Sequence, residues 1–317
     1  MTQDTLQDWL SAFRPRAQAA GISADTLDLA LTSVGLRNDV LEKERNQAEF
    51  TRRIWDYLDR AVSNERIAAG RTALQTHRDL LNRIETHYGV DRQILVAIWG
   101  LESNFGAVRG DVPTIAALAT LAATNRRGAY FESELIAALR IVQAGDVTAS
   151  GLKGSWAGAT GYPQFLPSMY LRVARDGDGD GRADIWSSEP DALASIANYF
   201  VNAGWRRGVP WGVPASISGN IDTSRFAART VSPRCERVFA RHSQWRTVAE
   251  WRALGVQPQR GTLRDTEMVT LFQPDGPNTP AWLLTGNYRV ILDYNCSNFY
   301  ALSVGLLADA VATGVPD

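Results

Sequence analysis

The texture of this sequence changes once, near residue 210, and that change limits the folds open to it. Before it, the chain reads as one helix after another. TLQDWLSAFRPRAQAAG and SADTLDLALTSVG each end at glycine, as helices commonly do, and Ser23 and Asp25 are placed to cap the second. Residues 72–87 and 91–105 continue the pattern, followed by VPTIAALATLAA, FESELIAALRIVQAG and SEPDALASIANYFVNAGW. After it come short β-branched runs broken by Pro and Gly: WGVPASISG, RTVSPRCERVF, EMVTLFQPDG, AWLLTG and NYRVILDY, with TVAEWRALG as one helix-like interruption. YNCSNFYALSVGLLADAVA then returns to helix. The pattern predicts an α+β protein, mainly α: a helical region over 1–85, a second helical section over 86–210, a small α+β insert at 211–290, and a final helix at 291–317 that rejoins the body.

Composition allows this and excludes other classes. The 317 residues are 45% hydrophobic and 21% charged, which permits a substantial core. A formal net charge of −1 gives no basic field for nucleic acid. No apolar run reaches the ~20 residues that cross a bilayer. The N-terminus is amphipathic and acidic, without a basic region leading into an apolar one. The chain is therefore read either as cytoplasmic or as starting after a removed export signal. Zinc and serine hydrolases are set aside: the three histidines, His77, His87 and His242, are scattered, and neither HExxH nor GxSxG occurs. Cys235 and Cys296 have no metal-ligand spacing and are either two free thiols or one bridge.

Against this background one acid stands out. In ILVAIWGLESNFG (94–106), Glu102 falls on the face of Leu95, Ile98 and Trp99. That face is expected to pack inward, and a carboxylate taken from water is expected to hold its proton more tightly. A glutamic acid protonated near neutral pH is suited to giving a proton to a leaving group, whereas a structural Glu would be paired with an Arg or backbone amides.

The most glycine-dense stretch, GLKGSWAGATGYPQFLPSMY (151–170), interleaves Ser155, Trp156, Tyr162, Gln164, Phe165 and Tyr170 with residues that allow close backbone approach. Aromatic faces beside neutral hydrogen-bonding groups suit a groove for uncharged sugars; the same stretch also reads as a loop with core aromatics. Next, DGDGDGRADIW (176–186) places Asp176, Asp178 and Asp180 at positions 1, 3 and 5 of an EF-hand-type loop, Gly181 at 6, Arg182 at the carbonyl position 7 and Asp184 at 9. Ser187 stands where the bidentate Glu usually is, so Glu189 or Asp191 would have to close the site. Such oxygen-only ligation favours calcium, as a structural staple. DYNCSNFYAL carries Tyr294, Asn295 and Tyr300 and reads as an Asn-capped helix start.

AIWGLESNFG, GLKGSWAGATGYPQFLPSMY, the DGDGDG loop running into ALASIANYF, and YNCSNFYA, in this order, resemble the lytic murein transglycosylase B family, glycoside hydrolase family 103. The resemblance spans roughly 40–210 and 285–317. It implies a lysozyme-like catalytic core over 86–210, a calcium-binding loop closed by Asp191, and cleavage of the β-1,4 bond between N-acetylmuramic acid and N-acetylglucosamine with a 1,6-anhydro product. It implies Glu102 as the single acid/base and puts Ser155, Tyr162, Gln164, Phe165, Asn295 and Tyr300 at the substrate. Peptidoglycan strands are the implied partner, with cell-wall synthesis proteins beside them, for a monomer in the periplasm or cell envelope of a Gram-negative bacterium. Calcium is the one implied cofactor, and the chemistry needs none.

Overall fold

The structure, a computed structural model, describes residues 1–45, 54–124, 127–218, 221, 223–228, 235–239, 241–261, 263–276 and 279–313. In chain order its elements are α1 (Gln3–Ala19), α2 (Ala24–Leu31), α3 (Asn38–Arg45), α4 (Ile54–Ala61), α5 (Asn64–Thr76), α6 (Arg78–Tyr88) and α7 (Arg92–Ser103). There follow β1 (Val112–Pro113), α8 (Thr114–Ala122), α9 (Gly128–Ala144), β2 (Lys153–Gly154), α10 (Pro167–Val173) and α11 (Glu189–Asn202). The remainder comprises β3 (Gly212–Ile217), α12 (Glu236–Phe239), β4 (Arg246–Thr247), α13 (Val248–Ala253), β5 (Val256–Pro258), β6 (Met268–Phe272), β7 (Ala281–Leu284), α14 (Gly286–Tyr294) and α15 (Asn298–Ala312). The protein is α+β and mainly helical, as the sequence predicts.

The chain forms two compact units, Met1–Thr51 with Glu102–Asn198, and Arg52–Leu101 with Tyr199–Asp317. Each therefore takes part of the 1–85 and 86–210 sections read from the sequence. In the first unit α8 is the central helix. Every residue from Thr114 to Ala122 is buried, because TIAALATLA is apolar all round and needs neighbours on every side. Leu6, Leu10 and Phe13 of α1, Leu27 and Leu31 of α2, and Phe131, Leu135 and Leu139 of α9 complete this core. Local chemistry sets the ends. Ser23 Oγ accepts the Thr26 N–H at 3.2 Å to start α2, and Gly145 in the left-handed region stops α9.

The second unit contains a five-stranded antiparallel sheet in the order β4-β6-β7-β3-β5, all of it between residues 212 and 284. Its alternating apolar positions Val213, Ala215, Val269, Leu271 and Leu283 pack with Val248 and Trp251 of α13. A reciprocal capping box between Thr247 and Glu250 begins α13.

Two sequence expectations need correction here. NYRVILDY, read as a strand, is helix α14. Thr285 Oγ1 accepts the Asn287 N–H at 3.1 Å and nucleates the turn, and Asn287, Tyr288 and Ile291 then share a buried face at helical spacing. A short run of apolar residues fits both periods, and the cap together with the distant partners of Asn287 decides between them. The segment 72–87 is also broken, α5 ending at Thr76 and α6 beginning at Arg78. Of RTVSPRCERVF, residues 229–234 lie outside the described residues, and Glu236–Phe239 is the short helix α12.

Candidate active site and cation loop

Helix α7 buries Leu95, Ile98 and Trp99, each with at most 1% of its surface exposed. Glu102 continues that face into the last turn, where it is half-buried rather than enclosed. The helix stops abruptly after Ser103. Asn104, Phe105 and Gly106 have φ of +49°, +57° and +85°, a left-handed run that a non-glycine residue enters only at a cost. Ser103 supports the turn from both ends: its Oγ accepts the Gly106 N–H at 3.2 Å and its carbonyl accepts the Val108 N–H at 2.8 Å. Glu102 thus sits where a buried helix gives way to an irregular segment.

That segment is tied to the glycine-rich stretch. The buried ring of Tyr162 packs against Gly106 on one side and carries the Arg109 guanidinium 5.2 Å from its centroid. Gln164, at φ +51°, donates from Nε2 to the carbonyls of Arg109 (3.1 Å) and Gly161 (2.9 Å). Arg109 donates to the Trp186 carbonyl at 2.7 Å. Thr160 and Phe165 exchange backbone hydrogen bonds at 2.8 and 3.0 Å, closing the tight loop that presents Gln164. Ser155 is half-buried; its Oγ accepts the Ala159 N–H at 3.1 Å. Only glycine fits at 154, where a Cβ would lie 1.9 Å from the Ala159 carbonyl oxygen. Of the sequence candidates in this unit, Ser155 and Gln164 keep exposed surface, while Tyr162 and Phe165, 8% and 3% exposed, belong to the interior. Arg109 and Trp186 were not singled out from the sequence, and an isolated Arg before Gly gives no signal that could have marked it.

The acidic loop separates into two groups. One oxygen from each of Asp176, Asp178 and Asp191 lies within 4.8 Å of the others. Asp191, in the first turn of α11, is wholly buried and accepts the N–H groups of Gly177 (2.7 Å) and Asp184 (2.6 Å). Burial raises its pKa, and these two bonds pull against that rise. Asp176 is held below the usual carboxylate range by the N–H groups of Gly181 and Gly179. Three carboxylates this close, one without solvent, form an oxygen-only donor set suited to a hard cation. Asp184 lies outside that cluster and caps its own turn, accepting the N–H groups of Trp186 and Ser187 at 2.9 Å. Asp180 likewise accepts the Arg182 N–H at 2.8 Å, and the Arg182 side chain reaches the Gly145 carbonyl at 3.1 Å.

Asn295 and Tyr300 belong to the second unit. Asn295 is exposed at the end of α14, its N–H donating to the Ile291 carbonyl at 3.2 Å. The cap of α15 is Ser297, whose Oγ accepts the Tyr300 N–H at 3.3 Å, rather than Asn295. The Tyr300 ring is buried and lies parallel to that of Tyr294, centroids 6.4 Å apart. Between them Cys296 is bonded to Cys235, which closes the question the sequence left open.

A mainly helical α+β chain with one half-buried acid at a helix end, a glycine-rich loop bonded to its exit turn and an acidic loop beside it has close counterparts among known proteins. The chain belongs to the transglycosylase SLT domain family, whose model matches residues 5–309. The membrane-bound lytic murein transglycosylase B of Escherichia coli K12 is 33% identical over 258 residues, which are 81% of this chain and 66% of that protein. The chain thus spans slightly less than two thirds of that relative. Among solved structures, SltB3 of Pseudomonas aeruginosa in complex with NAG-anhNAM-pentapeptide superposes with a TM-score of 0.89 at 41% identity, covering 98% of this chain and 80% of that one. The Escherichia coli lytic transglycosylase SLT35 in complex with calcium gives a TM-score of 0.79 at 29% identity, over 97% and 92% of the two chains.

Proposed function

We propose that the protein is a lytic transglycosylase that cleaves the β-1,4 bond between N-acetylmuramic acid and N-acetylglucosamine in peptidoglycan, leaving 1,6-anhydro-muramic acid ends. The observation that carries this reading is the position of Glu102, half-buried at the end of a buried helix and followed by a left-handed turn braced from the glycine-rich segment. In the proposed reaction Glu102, protonated, gives its proton to the glycosidic oxygen as an oxocarbenium-like centre develops at C1. The muramic N-acetyl carbonyl assists from within the substrate, which removes the need for a second carboxylate. The Glu102 carboxylate then takes the proton of the sugar's own 6-hydroxyl as that oxygen attacks C1, an intramolecular step favoured over attack by water.

Ser155 and Gln164 are the proposed glycan contacts of this unit, with Tyr162 and Phe165 supporting them; Asn295 and Tyr300 are assigned to substrate on the resemblance alone. Asp176, Asp178 and Asp191 would hold a calcium ion, with Asp180, Asp184 and the Arg182 carbonyl as the remaining EF-hand-type positions. Bound there, it would neutralise the acidic loop and staple it to α11 without entering the reaction. The substrate sets the place of action, the periplasm or cell envelope, where the protein works as a monomer on glycan strands and beside cell-wall synthesis proteins.

Incubation with purified sacculi and mass spectrometry of the soluble products tests the proposal. Muropeptides one water lighter than hydrolysis products are expected, and reducing muramic ends would make the protein a muramidase instead. Glu102→Gln is expected to fold normally and lose on the order of 10²–10⁴ in turnover; full activity in that variant would remove Glu102 from the chemistry.

A further inference from the structure

The first unit carries a concavity that the glycan chemistry does not use. It is an open groove of about 900 Å³ between the end of α2, the loop 33–37, the start of α8 and the segment 147–153. Ala30, Val34, Ile115, Ala116 and Val142, all buried, make an aliphatic floor. Leu29, 70% exposed, stands at its edge. Its volume falls in the range of small-molecule sites.

Among the described residues no Asp or Glu lines the groove, and the cations that line it are Arg37 and Lys153. Arg37 is already satisfied, donating from Nε and Nη2 to the two oxygens of Asp39 at 2.8 Å. Lys153 is exposed and enters none of the ion pairs among the described residues. The groove therefore complements a body of small aliphatic groups bearing a free carboxylate. Lys153 is also two residues before Ser155 in the chain, so strand β2 joins the groove to the proposed glycan site.

We propose that this groove binds the peptide stem of a murein strand, with a stem carboxylate at Lys153 and the methyl side chains on the aliphatic floor. The assignment rests on the glycan reading of the neighbouring site, because only a strand held there brings its stem to β2. The stem would then contribute to substrate affinity while leaving the chemical step alone.

Kinetics on two substrates test it: strands that retain their stems, and the same strands stripped by an amidase. Lys153→Glu reverses the charge of an exposed side chain that enters no ion pair among the described residues, and Ala149→Trp fills the groove from its wall. Both are expected to raise KM on stem-bearing strands about threefold to tenfold, with kcat held and with no change on stripped strands. Equal effects on both substrates, or none on either from Lys153→Glu, would overturn the proposal, as would wild-type KM values that ignore the stem. Decanoate binding that is lost in Lys153→Glu, without any stem dependence of KM, would assign the groove to a fatty carboxylate and equally overturn it. If the wild type turns over neither substrate, it is the glycan reading that fails.

Discussion

The ring of Tyr162 lies so close to Gly106 that a Cβ on the glycine would sit 2.7 Å from its Cε1. Gly106 also has φ +85°, where an L side chain is strained whatever the space around it. The contact locks the turn that ends α7 four residues after Glu102. Gly106→Ala is therefore expected to cost about 1–3 kcal/mol of stability and, by shifting the turn, to lower turnover more than binding. Urea unfolding and a kcat against KM comparison check both. A variant with wild-type stability and wild-type kcat would show that the turn is not under the constraint described.

Asp191 gives the test of the cation loop. Its two oxygens accept the N–H groups of Gly177 and Asp184, so an amide in its place turns an NH2 group against one of these donors. Asp191→Asn is expected to lose about 1–3 kcal/mol. Calcium at a hundred times its Kd should stabilise the wild type by about 2.7 kcal/mol and leave the variant unmoved. Melting curves with calcium and with a chelator decide this; identical wild-type curves would argue against ion binding at these carboxylates.

What the sequence makes legible is what local chemistry dictates. The helical succession, the strand-rich zone after residue 210 and the proximity of Asp176 to Asp178 follow from periodicity and spacing. What it hides depends on contacts distant in the chain. Cys235 and Cys296 meet only because α12 is brought to the start of α15. NYRVILDY is helical because Asn287 is buried and bonded to Arg206 and Val209, partners some eighty residues earlier. The left-handed run at Asn104–Gly106 carries a half-signal, since Asn and Gly both favour it, but nothing local announces Phe105 there. Asp180 and Asp184 also accept backbone N–H groups of their own loop, contacts that the spacing alone does not announce.

The bridge between Cys235 and Cys296 encloses a sequence separation of 61 residues, with Cα atoms 5.3 Å apart. Loop-closure entropy for a ring of that size amounts to about 4 kcal/mol removed from the unfolded chain. Cys235→Ser with Cys296→Ser, or reduction by dithiothreitol, should lower the midpoint of urea unfolding accordingly. Titration of denatured, unreduced protein should find no free thiol, and two thiols per chain would refute the pairing.

Buried His242 predicts a distinct pH dependence. Asn298 Nδ2 donates to the Val238 carbonyl at 3.2 Å, which turns Asn298 Oδ1 toward His242 Nε2 at 2.8 Å. The imidazole must then donate from Nε2, and its Nδ1 accepts the Thr270 hydroxyl at 3.3 Å. A proton on Nδ1 would face that hydroxyl in a site almost without water, and burial lowers the His242 pKa to about 4, with the Asn298 bond opposing the shift. Because the folded value lies below the unfolded one, His242 contributes stability that is complete above about pH 6.5 and drains away as pH falls toward 4. By about pH 5 the loss should be on the order of 2 kcal/mol. His242→Gln keeps a donor and an acceptor but cannot titrate. It should be less stable than the wild type at about pH 7, by about 1–3 kcal/mol, yet lose less between there and about pH 5. Parallel pH profiles for the two proteins would mean that the imidazole takes up its proton as readily in the folded chain as in the unfolded one, Nδ1 then donating to the Thr270 hydroxyl.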